Sequence, residues 1–216
     1  MKLKLIFLSL SLIISGAIVS NALADQNGRN DNERMSNSSI NDDDNEDSDV
    51  ILHELGHAIN YNINRNWRGG DTGAMGEGFG DYWATSYSYT KPNGDFRFDW
   101  VFKWDGHNDC WDGRKVSKSN LVYNHAQTYQ AHSSVPGGVS DELWSTPIFL
   151  AFKELYDTGT SYEDIQKIII ESQFGLGSGI KMRDMANQIV KTAKKLFPQK
   201  NYDKVYIKYF SAQKIL

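Results

Sequence analysis

The sequence predicts a mainly helical α+β domain over residues 49–216. Three observations point there. Apolar residues recur at helical spacing in several separate stretches. A Gly69-Gly70 turn divides the first two of these. The span 90–140 is rich in Trp, Gly, Asn and Asp, which leaves room for short strands only, the best placed near Phe96 to Trp104. A chain of 216 residues suits one good-sized domain, and 40% apolar residues with six Trp, eleven Tyr and ten Phe can fill its core.

The segments before residue 49 have other compositions. Lys2 and Lys4 precede a mostly apolar run from Leu5 to Val19, and Ala22-Leu23-Ala24 offers a small-x-small cleavage pattern. Residues 1–24 therefore read as an export leader, too short in its apolar run for a membrane anchor, and the expected location of the protein is outside the cell. Residues 25–49 hold nine acidic side chains against Arg29 and Arg34, with Met35 and Ile40 as the only large apolar residues. That composition cannot offset the entropy of ordering, so 25–48 reads as a disordered acidic linker. A calcium site over Asp42 to Asp47 is the alternative use of the acids, but the run lacks a spaced loop with a turn glycine.

From Val50 onward the pattern is helical. Val50, Ile51, Leu52, Leu55, Ala58 and Ile59 mark an apolar face, with Ser48 or Asp49 placed to cap the start. A second helix runs through Glu77 to about Tyr87. A third, Leu143 to Tyr156, begins at Pro147 or kinks there. Ser161 and Asp164 form a capping pattern ahead of Ile165, Ile168 and Ile169. Met182, Met185, Ala186, Ile189, Val190 and Ala193 repeat at helical spacing until Pro198 stops the run. Cys110 is the sole cysteine, so no disulfide forms within the chain, and the net charge of −4 gives no indication of a nucleic-acid partner. After removal of the leader, no segment is apolar enough for stable membrane insertion.

The chemistry gathers in the first two helices. His53-Glu54-Leu55-Gly56-His57 is an H-E-x-x-H motif. Residues four apart share one helix face, so both imidazoles can reach one ion while Glu54 projects beside them toward a water molecule. Zinc in hydrolases takes three protein ligands and leaves a fourth position open. Nineteen residues separate His57 from Glu77, which lies within Gly73-Ala74-Met75-Gly76-Glu77-Gly78-Phe79-Gly80-Asp81. The small residues around Glu77 let its helix approach the first closely, and Asp81, one turn on, is placed to accept the free ring N–H of a ligand histidine.

These two helices resemble the zinc site of thermolysin-like and fungalysin-like peptidases, and Gly73 to Ala84 is nearer the fungalysin form. The other zincin pattern, with Gly three and His six residues past the second His, fails at Asn60 and Ile63. Metallo-aminopeptidases place one residue fewer between the second His and the Glu. The resemblance covers about 40 residues and implies a zincin-type fold with a helical C-terminal lobe. It implies a secreted zinc endopeptidase acting on proteins or peptides, with His53, His57 and Glu77 as metal ligands and Glu54 as general base. A downstream histidine stabilises the oxyanion in that group. His107, His125 and His132 are available, and His132 precedes Pro136-Gly137-Gly138-Val139 and a helix in the expected manner. A rival alignment puts Ser140 in the histidine's place. The resemblance also implies a β-rich lobe upstream, where this chain has the acidic linker. The alternative reading is therefore a truncated, zinc-binding but catalytically inactive secreted remnant.

Overall fold

The computed structural model describes residues 47–103, 106–107 and 111–216. The leader, the acidic stretch up to residue 46 and nearly all of the calcium candidate lie outside the described residues. Among those described there are six helices and two short strands. The helices are α1 (Ser48–Ile63), α2 (Thr72–Tyr89), α3 (Ser140–Asp157), α4 (Tyr162–Ser172), α5 (Met182–Leu196) and α6 (Tyr202–Ala212), with β1 (Ser134–Val135) and β2 (Gly138–Val139) just ahead of α3. The domain is thus mainly helical. None of these helices is long and apolar enough to cross a membrane.

Two local expectations for α1 change. Its cap is Asp47, whose side chain accepts from the Asp49 amide at 2.7 Å, and the helix starts at Ser48. Asp49 is instead buried against Ser88 and, at 3.4 Å, Lys103. The buried face of α1 is Asp49, His53, Gly56, Ile59 and Asn60, not the apolar run from Val50 to Leu55; Ile51 stays 42% exposed. The functional face was chosen by contact with α2, which overrides hydrophobic patterning.

That contact depends on glycine. A Cβ on Gly56 would lie 2.9 Å from the Gly80 Cα, so α1 and α2 cross where neither carries a side chain. On its other side, a Cβ on Gly78 would lie 2.5 Å from the Asp141 carbonyl oxygen. Helix α2 is therefore pressed between α1 and α3, and twelve of its 18 residues are buried. Phe149 and Phe152 of α3 lie with Tyr82 and Tyr89 in one aromatic cluster, with centroids 5.8–6.2 Å apart. Such pairs contribute about 0.5–1.5 kcal/mol each beyond their area.

Helix α3 does not begin at Pro147. It opens at Ser140 and keeps Pro147 buried inside, forgoing one backbone hydrogen bond for core packing. The Ser161 hydroxyl caps α4 through the Asp164 amide at 3.1 Å. Helix α5 buries Met182, Met185, Ala186, Ile189 and Ala193 as its spacing requires, and Phe210 of α6 stacks on Trp144 at 5.6 Å. No named strand forms in the described part of Phe96 to Trp104. Only Trp100 bridges to Lys115, because strand pairing there has a single partner segment. The named strands form the hairpin at 134–139, where Pro136-Gly137 turns the chain with Gly137 at φ +93°.

Candidate metal centre

Helices α1 and α2 bring three donor groups to one point. His53 Nε2 and His57 Nε2 are 3.0 Å apart, and the Glu77 carboxylate lies 3.4 Å from each. Three ligands about 2.0–2.1 Å from a tetrahedral ion would be separated by about 3.3 Å, so the donor set has the size of a zinc-type site. The chemistry agrees, since two imidazoles and a carboxylate suit a borderline-soft dication. The trio could hold a metal ion.

Glu54 sits between the histidines in sequence and is exposed, with its charge felt at His57. It is not one of the converging donors.

Asp81 is fully buried with an oxygen 3.0 Å from His53 Nδ1, in a bent contact that is not an aligned hydrogen bond. A Cβ on Gly80 would lie 2.6 Å from the same nitrogen, so the ring is held between Gly80 and the carboxylate. Asp81 also makes a two-pronged ion pair with Arg114, Nε to Oδ2 at 2.8 Å and Nη2 to Oδ1 at 2.7 Å. Arg114 is a member the sequence did not reveal. It is delivered by the Trp100–Lys115 bridge and by Glu142 of α3, which accepts from the Lys115 amide at 2.9 Å. Its Nη2 reaches to 4.0 Å from Glu77.

His132 joins the cluster. The hairpin folds it back onto the first turn of α3, where Asp141 accepts from its backbone amide at 3.0 Å and contacts Nδ1 at 2.7 Å. This double hold keeps the residue at φ +56°, and its Nε2 faces Glu77 at 3.5 Å. Asp141 is the second member missed. Ser140 is buried and donates its hydroxyl to the Gln130 carbonyl at 2.6 Å, away from the donors. His107 stacks on Trp100 at 3.9 Å and donates to the Val101 carbonyl, while His125 donates to the Lys214 carbonyl; both serve structure.

Electrostatics follow from this crowding. Burial works against a charged His53, but the Asp81 and Glu77 carboxylates outweigh it and push the ring up to about 9. Burial and the charge of His53 lower His57. Burial would raise Glu77, yet the neighbouring histidines hold it below the usual carboxylate range. Burial would likewise raise Asp81, and Arg114 and His53 pull it down. Asp141 moves the other way, raised chiefly by burial.

A metal needs both imidazoles neutral, so below pH 9 its binding expels the His53 proton. Apparent affinity should therefore rise about tenfold per pH unit between pH 6.5 and 8. Calorimetric zinc titrations in buffers of different ionisation enthalpy would count the proton released. An affinity flat over that range, with no buffer dependence, would refute the assignment of the charge to His53.

No family model matches the chain, and neither a curated protein nor a solved structure matches it.

Proposed function

We propose that the chain is a zinc-dependent peptidase, with His53, His57 and Glu77 holding the ion. The observation that carries this reading is the convergence of two imidazoles and a carboxylate at 3.0–3.4 Å with an exposed Glu54 beside them. Bound zinc would supply Lewis acidity, drawing the pKa of water toward 7 and polarising a carbonyl. Glu54 takes the proton of the attacking water and returns it to the departing amine, so the peptide bond is exchanged for an acid and an amine without net proton change. His132 presents Nε2 on the Glu77 side of the site, toward the developing oxyanion, while Asp141 holds the ring at Nδ1. Arg114, paired with Asp81, adds fixed positive charge near Glu77. Zinc is the metal proposed because the imidazole–carboxylate set and its spacing suit it.

The test is joint. Purified chain, dialysed against metal-free buffer after zinc loading, should retain about one zinc and cleave a quenched peptide library. His57→Ala should retain little zinc and cleave nothing. Equal zinc in both proteins removes the metal assignment. Full zinc retention without cleavage removes the peptidase assignment and leaves a metal-holding domain.

A further inference from the structure

Charge along the chain is strongly polarised. Residues 181–216 carry nine basic side chains and two acidic ones, whereas the whole chain has a net charge of −4. The preceding 180 residues therefore hold fourteen basic and twenty-five acidic side chains. Most of the excess lies on α5, the turn after it and the start of α6. Lys191, Lys194, Lys195, Lys200 and Lys204 are exposed there, and none has an ion-pair partner among the described residues. Lys208 on the same helix is engaged by Glu154. Between these lysines, Phe197 and Tyr202 pack edge to face at 5.3 Å and stay half-buried.

We propose that this face of α5 and α6 docks the protein on anionic phospholipid bilayers. The inference is independent of the metal reading, because none of the candidate metal-site residues lies on these helices. Two properties select the occupant. Uncompensated lysines gain about a fivefold factor each near an anionic bilayer, and half-buried aromatic rings among them suit the interfacial depth. The rings set among the lysines favour a bilayer interface over a purely ionic partner. Attachment is peripheral, since no described helix can span the bilayer.

Sedimentation of the full chain with vesicles tests the proposal. The protein should bind phosphatidylglycerol–phosphatidylcholine vesicles at low salt, ignore pure phosphatidylcholine, and dissociate in roughly 0.5 M salt, where the screening length is far shorter. Lys191→Gln/Lys194→Gln/Lys195→Gln should bind roughly 100-fold more weakly, and Lys200→Gln/Lys204→Gln roughly 25-fold. These side chains are exposed, so thermal midpoints should match wild type and report that folding is intact. Unchanged vesicle affinity in either variant overturns the proposal. So does equal binding to neutral vesicles, or retention by duplex DNA as tight as by anionic vesicles at the same salt.

Discussion

Glu54→Gln is expected to leave zinc content unchanged and to lower peptide turnover by about 100- to 10,000-fold. The separation of the two readouts follows from geometry. The proposed metal donors are His53, His57 and Glu77, and Glu54 is exposed outside that convergence, so the amide should cost the site no ligand. Glutamine keeps the size of glutamate and loses only the capacity to accept the proton of water. Elemental analysis and hydrolysis of a quenched library on the two proteins, side by side, give both numbers. Wild-type cleavage no faster than the variant's would eliminate a catalytic Glu54. Zinc lost along with activity would make Glu54 a ligand and the assigned trio wrong.

Asp81→Asn has the second large effect, and it acts on two properties at once. One oxygen lies against His53 Nδ1 and both oxygens hold Arg114, with Asp81 fully buried. Removing the charge leaves a mostly buried guanidinium without its counter-ion, which destabilises the fold by roughly 3 kcal/mol. It should also release the ring that Gly80 and Asp81 confine and weaken zinc by about 10- to 100-fold. Arg114→Met separates these effects. It should cost comparable stability while losing much less zinc affinity, because the carboxylate beside His53 remains. Chelator competition and denaturant unfolding on both variants provide the comparison. Wild-type zinc affinity in Asp81→Asn would mean that Asp81 serves only the ion pair.

What could be read in the sequence follows the range of the interactions. His53, Glu54 and His57 share one helix turn, and Glu77 and Asp81 another, so periodicity alone placed them on common faces. The glycines beside Glu77 announced a close helix crossing, and Gly56 against Gly80 is that crossing. Arg114 and Asp141 carry no local mark. Each is an ordinary polar residue until a distant segment docks: Arg114 lies 33 positions from Asp81, and Asp141 becomes part of the site only when a hairpin turns His132 back. The buried face of α1 was misjudged for a related reason, since apolar spacing says which residues can be buried and tertiary contact decides which are. Net charge concealed the basic pole of α5 and α6, because a sum over the chain cancels opposite ends.

The crossing of α1 and α2 has a thermodynamic consequence for any ion the site takes. All three donors come from two helices that are already packed through backbone contact at Gly56 and Gly80. Binding an ion there requires little further ordering of the chain. In domains folded by their metal, much of the coordination energy goes into gathering the ligands. Here the core of α2 and α3 gathers them, so the free energy of coordination appears mostly as affinity, and the apo-protein keeps the shape of the site before the ion arrives.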